Sequence, residues 1–479
     1  MKFNKFSSQQ FFSTLLTGVS AFSLNIFAQQ TQTQKPNIIY ILTDDMGYAD
    51  LGCYGSKRIK TPNIDRLAAE GIRFTQHYAG TSVSAPSRCS LMTGLHTGHC
   101  QVRGNKQWEP YGQLPLEANT VTVASKLKEA GYKTAIIGKW GLGIEGTTGD
   151  PLKQGFDYQY GYLCQVLAHN HTPEYLIENG KKVMLRNKVV WMPKDNWTQG
   201  LGSYPVVKKD FSQTLFTQKA LKFIDQNQKN PFFIYLSVII PHGNGEAPKE
   251  EKYSDIPWLF PYEKQLWSKE EKGYAAMITY LDTEIGKIMA KLKAKGLDKN
   301  TIVIFTSDNG GDSPDGFIKE SNYPFRGMKR DLYEGGIRIP MIAYWKGHIA
   351  PGRTSTLPSA FWDFMPTACE LAGFKAPENT DGISYLPELL GKPQKKHESL
   401  YFEFHEQGGK QAIIRGDWKC IRLNTNYKDK IVTELYNITE DQGETTNLAD
   451  KYPERVTELV ELMAKSRTEN QYFKLFEPK

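Results

Sequence analysis

Five short apolar runs stand out along the chain, at residues 37–43, 134–137, 232–240, 301–306 and 339–344. They are rich in β-branched and aromatic residues and too continuously apolar for strands with one face in water. Between them, apolar residues recur at helical spacing over residues 64–70, 122–130, 214–226 and 269–294. Strands alternating with helices predict a mainly parallel sheet covered on both faces. Ligands of such sheets bind beyond the carboxyl ends of the strands, so the polar residues directly after each run are the first place to look. After about Gly382 the texture changes. Runs at 399–405, 411–415, 418–423 and 433–436 alternate apolar and polar positions, with turn signals such as Gly408-Gly409 between them, and an amphipathic pattern follows over 453–467. The expected fold is therefore α/β: a large, mainly parallel sheet flanked by helices, with a smaller C-terminal antiparallel sheet plus helix. The expected division is 29–385 for the larger domain and 386–479 for the C-terminal subdomain.

The start of the chain breaks the pattern. Lys2 and Lys5 precede an uncharged apolar stretch over residues 11–28, and a polar run begins at Gln29. Residues 1–28 read as a cleavable export signal, with the periplasm or the cell exterior as destination. No Cys lies near residue 28 to carry a lipid, and no other run approaches the ~20 apolar residues a membrane helix needs. A stable membrane anchor is thus not expected. The 479 residues hold 59 Lys+Arg against 52 Asp+Glu, a net charge of +7 spread along the chain. That excess suits an anionic substrate and is too diffuse for a nucleic-acid footprint. The six Cys are scattered and never at Cys-x-x-Cys spacing, which excludes a disulfide scaffold and a thiolate zinc module.

Candidate chemistry gathers at the strand ends. Asp44-Asp45 follows the first run, and Asp308-Asn309-Gly310-Gly311 follows the 301–306 run. Either alone reads as an ordinary turn. Together they offer three carboxylates and an amide oxygen, a set suited to hard Ca²⁺ or Mg²⁺. In a third cluster, Pro86 marks a helix start, which places Ser84 where backbone N–H groups favour negative charge. Arg88 follows one helical turn later and can reach the same anion. Pro241-His242 closes the 232–240 run.

The frame Ser84-x-Pro86-Ser87-Arg88-x-x-Leu91-x-Thr93-Gly94 resembles the signature of the type I, formylglycine-dependent sulfatases in its serine form. Further landmarks stand in that family's order: Thr61-Pro62-Asn63-Ile64-Asp65-Arg66, Gly138-Lys139-Trp140, His242, Phe325-Arg326-Gly327-Met328-Lys329 and Glu334-Gly335-Gly336. The match spans nearly all of residues 36–423. The resemblance implies an alkaline-phosphatase-like fold and a sulfate-ester hydrolase. It implies one Ca²⁺ held by Asp44, Asp45, Asp308, Asn309 and residue 84. It also implies oxidation of Ser84 to formylglycine by an anaerobic-type maturing enzyme. Arg88 would orient the aldehyde hydrate, Lys139 and Lys329 would neutralise sulfate oxygens, and His242 would bind sulfate or protonate the leaving alcohol. A hydrated aldehyde has two hydroxyls, one to attack sulfur and one to expel sulfate afterwards. A plain serine would stall as its own sulfate ester.

One position departs from the pattern. The family usually has His two residues after the lysine, where this chain has Gly141. Three readings stand: a relative without turnover, another residue serving in that place, or space for substrate opened by the missing Cβ. His169, Asn170 and His171 admit substrate contact, loop packing or a metal. Asn105, Arg326, His405 and Glu406 are candidate substrate contacts on polar loops. The expected substrate is a sulfated sugar, of galactose or N-acetylgalactosamine type by resemblance. The competing functions are a glycan-binding protein without turnover and a phosphoesterase of the same superfamily using unmodified Ser84. A two-metal phosphatase would need a second, His-rich site, and the chain has only nine His.

Overall fold

The computed structural model describes Met1 and residues 35–105, 108, 114–193, 202–312 and 316–475. Apart from Met1, the export signal expected over residues 1–28 lies outside the described residues. In chain order the strands begin with β1 (Asn37–Asp44), β2 (Ile72–Tyr78), β3 (Lys133–Lys139), β4 (Tyr158–Tyr162), β5 (Tyr175–Glu178) and β6 (Lys181–Met184). β7 (Lys188–Trp191) and β8 (Ser203–Val207) pair as a separate hairpin. Then come β9 (Phe232–Pro241), β10 (Thr301–Ser307), β11 (Arg338–Tyr344), β12 (Arg353–Ser355) and β13 (Ser359–Ala360). The main sheet runs β12-β2-β11-β10-β1-β9-β3-β4-β5-β6, with β13 also on β2.

Its centre, β10-β1-β9-β3-β4, is parallel throughout. Every residue of β1, β9 and β10 is buried, which is why these strands read as unbroken apolar runs. The sheet is thus mainly parallel, as expected, and its flanks are antiparallel. β11 is antiparallel to β10 and to β2, and β5 and β6 turn back antiparallel beyond β4. A parallel neighbour needs a crossover to the other end of the sheet. The chain between β10 and β11 makes none: it leaves at the carboxyl end of β10 and re-enters there, so the described residues between them, 308–312 and 316–337, stay at that edge. The register of Tyr78 beside Arg338 brings β2 out at the same edge.

Helices cover both faces. On one lie α1 (Pro62–Glu70), α4 (Ser212–Gln226) and α5 (Lys269–Ala294), and on the other α2 (Ser84–Thr93), α3 (Val123–Glu129) and α7 (Phe364–Leu371). Ser268 caps α5: its hydroxyl accepts from Glu271 N–H at 3.1 Å while the Glu271 carboxylate accepts from Ser268 N–H at 2.8 Å. The one-turn α6 (Glu334–Ile337) leads into β11, and α8 (Leu386–Leu389) follows α7.

The C-terminal strands β14 (Leu400–Phe404), β15 (Lys410–Arg415), β16 (Trp418–Leu423) and β17 (Val432–Asn437) form an antiparallel sheet in sequence order. Helix α9 (Pro453–Lys465) covers one face with Leu459 and Met463. The other face packs Phe402, Phe404 and Ile421 against Tyr78, Val83 and Ile337, directly beside the start of α2. Lys419 pins the two parts together through buried Glu334, 2.9 Å away.

Candidate active site

Four strand ends and one helix start converge at the carboxyl edge. β1 delivers Asp44 and Asp45, and Asp45 adopts φ 62°, a left-handed turn tolerated by Asp. That turn lets its N–H donate to Asp308 Oδ1 at 3.2 Å while its own Oδ1 accepts from Asn309 Nδ2 at 2.7 Å. Asp308 and Asn309 follow β10, Lys139 ends β3, and His242 follows β9. Ser84 opens α2, with its Oγ donating to Asp308 Oδ2 at 2.5 Å.

Arg88 links these pieces. Its Nε donates to Ser84 Oγ at 2.8 Å, and its other nitrogens donate to Asp308 Oδ2 at 2.8 Å, Asp44 Oδ2 at 3.3 Å and the Lys139 carbonyl at 3.1 Å. Ser237 Oγ accepts a further bond. Lys139 Nζ donates to Asp44 Oδ2 at 2.7 Å, and Lys329 Nζ donates to Asp45 Oδ2 at 2.8 Å. Lys329 Nζ also lies 3.3 Å from His242 Nε2. All three carboxylates and all three cations are buried.

Burial alone would push the Asp44 and Asp45 carboxyls up. Lys139 and Arg88 beside Asp44, and Lys329 beside Asp45, outweigh it and hold both below the usual range. Asp308 is pushed up to about 6, by burial first and then by the Asp44 charge. Burial and the Lys329 ammonium drive the His242 imidazole well below its usual value, so it is neutral.

Two acceptors in this cluster, Asp44 Oδ1 and Asn309 Oδ1, are buried without a hydrogen-bond partner among the described residues. Buried oxygens of this kind want a cation or a donor. With the Asp45 and Asp308 oxygens they make an all-oxygen set that fits a hard divalent ion. Ligand atoms of Asp44, Asp45 and His242 also lie within 4.8 Å of one another, but His242 Nε2 faces the Lys329 ammonium, so the oxygens are the better donors.

A second cluster, His96, His99 and Asp381, is committed to structure. His96 Nδ1 accepts from Gly98 N–H at 3.1 Å, which leaves the proton on Nε2 in the neutral ring and no lone pair for a metal. His99 Nδ1 pairs with Asp381 at 2.9 Å.

Ser84, Lys139, His242 and Lys329 open into one cavity of about 330 Å³. Of the loop residues singled out by sequence, Asn105, His169 and Glu406 line it. Asn105 N–H donates to Glu406 Oε1 at 2.7 Å, so the C-terminal sheet contributes to the rim. His169 pairs through Nδ1 with buried Glu246 at 3.0 Å and stacks on His242 with 4.7 Å between ring centroids.

The structure places the other four candidates elsewhere. Asn170 is buried, with its amide on Ser203 Oγ and Thr172 N–H. His171 Nε2 bonds the His242 carbonyl at 2.7 Å and so holds the loop behind the cavity. Arg326 donates to Tyr436 Oη and the Glu444 carbonyl and lies over the Tyr333 ring at 3.9 Å. His405 is held by Glu403 at 2.9 Å, a carboxylate that also carries Arg103 and Arg467. In each case a buried or stacked partner outcompetes the cavity.

Sequence reasoning passed over Glu246, Lys252, Asp312 and Arg330, which also line the cavity. They sit in loops without periodicity, and only their chain distance from His242 or Lys329 hinted at them.

Residues 36–374 match the sulfatase family, and residues 327–471 match the N-sulphoglucosamine sulphohydrolase C-terminal family. The chain belongs to the sulfatase family. It is 31% identical to an N-acetylgalactosamine-6-O-sulfatase of Bacteroides thetaiotaomicron, over 91% of this chain and 94% of that one. It is 31% identical to human arylsulfatase A, over 87% and 83%. Among solved structures, Ps i-CgsB in complex with k-i-k-neocarrahexaose matches at TM-score 0.74 and 29% identity, covering 93% of this chain and 96% of that one. This sulfatase is a sulfuric ester hydrolase, and its fold is the alkaline-phosphatase-like one that the family resemblance implied.

Proposed function

We propose that this sulfatase removes a sulfate ester from a sugar of galactose or N-acetylgalactosamine type, with Ser84 converted to formylglycine and one Ca²⁺ bound by Asp44, Asp45, Asp308, Asn309 and residue 84. The observation that carries the reading is the Ser84 oxygen, bonded at once to Asp308 and Arg88 at the mouth of a cavity that Lys139, Lys329 and His242 also line. When bound, the ion supplies Lewis-acid charge to a sulfate oxygen and to the residue 84 oxygen. As a hydrate, formylglycine supplies the attacking hydroxyl and a second one for releasing sulfate.

The chain's own residues do the rest. Arg88 fixes the residue 84 oxygen through Nε and is locked in turn by Asp44, Asp308 and the Lys139 carbonyl. Asp308 Oδ2, at 2.5 Å, holds the proton that this oxygen gives up. Lys139 and Lys329 stand where charge on the sulfate grows, as preorganised cations in a buried setting. His242 Nε2, neutral and 3.3 Å from the Lys329 ammonium, takes up the Lys329 proton and passes it to the leaving alkoxide.

Three residues on the rim, Asn105, His169 and Glu406, offer donors and acceptors to sugar hydroxyls. The relatives support a sugar, since one is an N-acetylgalactosamine-6-O-sulfatase and another was solved with k-i-k-neocarrahexaose. In this reading the 29–385 domain carries the chemistry, and the 386–479 subdomain brings Glu406 to the rim. Residues 1–28 send the protein to the periplasm or exterior after an anaerobic-type maturing enzyme has acted on Ser84.

The test is a panel of sulfated galactose, N-acetylgalactosamine, glucosamine and fucose beside nitrophenyl sulfate, with protein co-expressed with such a maturing enzyme. Sulfate release from a galactose-type sugar is expected. Fast turnover of the aryl ester with every sugar untouched would end the carbohydrate reading, and binding of the sugars without any release would support the protein without turnover.

A further inference from the structure

Gly141 and Gln165 face each other in the wall of the catalytic cavity, beside Ser84, Lys139 and His242. The two segments are laced together in register. Lys139 pairs with Tyr162 across β3 and β4, Trp140 N–H donates to the Tyr162 carbonyl at 2.9 Å, and Gly141 N–H donates to the Leu163 carbonyl at 3.3 Å. Gln165 then turns into the space that a side chain on residue 141 would fill. A Cβ built at Gly141 would lie 3.0 Å from both Cγ and Nε2 of Gln165, and Gly141 itself adopts φ +77°. Glycine is thus required twice: for the left-handed backbone and for the clearance. The Gln165 amide makes no hydrogen bond to any described residue. A neutral group with two donors and one acceptor, unengaged and edging a cavity built of cations, is equipped to meet an anion.

We propose that Gln165 is a substrate-binding residue that donates from Nε2 to the sulfate group in the cavity, and that Gly141 exists to admit it. The proposal rests on the sulfatase reading of that cavity. It adds a neutral donor to the buried cations Lys139 and Lys329. An amide neither gains nor loses a proton in the working range, so this contact binds and orients and moves no proton.

The experiment pairs turnover with a binding measurement that needs no converted Ser84. Inorganic sulfate is titrated calorimetrically into Ser84→Ala protein, with and without Gln165→Ala, and kcat and KM are measured on converted enzyme with a sulfated sugar and with nitrophenyl sulfate. Removing a hydrogen bond to a charged group predicts sulfate affinity and kcat/KM lower by about 10- to 100-fold, equally for both esters. Gln165→Glu keeps the shape and reverses the electrostatics, so it loses more than Gln165→Ala. Gln165→Asn, with the same group on a shorter arm, recovers part of the loss. Gly141→Ala pushes Gln165 aside and reproduces the Gln165→Ala loss, and the double variant is no worse than Gly141→Ala alone. Unchanged sulfate affinity in Gln165→Ala overturns the proposal. So does a loss confined to the sugar ester, and so do multiplying losses in the double variant. Wild-type protein that neither binds sulfate nor cleaves either ester would sink the sulfatase reading of the cavity instead, a distinct result.

Discussion

Replacing Arg88 with Met removes the guanidinium while keeping the buried stem. Six acceptors lose a donor: Ser84 Oγ, Asp308 Oδ2, Asp44 Oδ2, the Lys139 carbonyl, Ser237 Oγ and, at 3.5 Å, Tyr235 Oη. Asp44 retains Lys139 at 2.7 Å. Asp308 Oδ2 retains only the Ser84 hydroxyl, in a site where neither partner of the lost pair is exposed. Breaking a buried pair on one side costs about 3–5 kcal/mol, because the remaining charge stays desolvated. For a chain of 479 residues the unfolding entropy is about 1 kcal/mol/K, so the loss reads as a fall in Tm of about 3–5 °C. The comparison belongs on protein with unmodified Ser84, because Arg88 lies in the frame that a maturing enzyme would read. Calorimetry in chelator should give the full fall. Saturating Ca²⁺ should shrink it, since an ion among Asp44 and Asp308 supplies the charge that Arg88 gave up. A Tm within about 1 °C of wild type in chelator would refute the charge accounting. An equal fall with and without Ca²⁺ would refute the idea that ion and guanidinium share the same carboxylates.

Three further outcomes follow from the same geometry. Chelation should abolish turnover and lower Tm, with Ca²⁺ restoring turnover and adding about 2.7 kcal/mol of stability at a hundredfold excess over Kd; active protein that carries zinc, or no metal, by elemental analysis would contradict the oxygen set. Burial raises the Asp50 carboxyl to about 7 against the donors Tyr274 Oη at 2.6 Å and Gly47 N–H at 2.8 Å. The folded state therefore keeps a proton that the unfolded chain sheds near pH ~4, and stability falls as pH rises from about 4 to about 7, by at most about 4 kcal/mol. Asp50→Asn should flatten that slope in denaturant titrations, and an unchanged slope would place the proton elsewhere. His242→Ala should slow sugar sulfates far more than nitrophenyl sulfate, whose phenolate leaves without a proton; equal losses would make His242 a sulfate ligand only.

The central strands were legible because burial on both faces leaves no polar residue to break the run, as in β1 and β9. β2 escaped notice because Arg73, Thr75 and Gln76 are only partly buried and interrupt it. The strands from β4 to β8 are four or five residues each, too short for periodicity to speak. Antiparallel pairing at the flanks leaves no local signature, since it depends on which edge a connection returns to. At the site, residues fixed to strand ends, such as Asp44, Lys139 and Asp308, could be read from the chain because the strand positions them. Loop residues were legible only in part: Lys329, Asn105, His169 and Glu406 reach the cavity, and others do not. His171 and His405 look like site residues in sequence and are occupied by His242 and Glu403, while the place of Gln165 shows only in the space beside Gly141.

The most direct test of the central claim couples chemistry to one peptide. The protein is made with and without an anaerobic-type maturing enzyme, the mass of the Ser84 peptide is determined, and sulfate release from the best sugar ester is measured on the same samples. Turnover should rise in proportion to the fraction of residue 84 present as formylglycine, and Ser84→Ala should release nothing. Full turnover by protein whose Ser84 peptide has its unmodified mass would contradict the account.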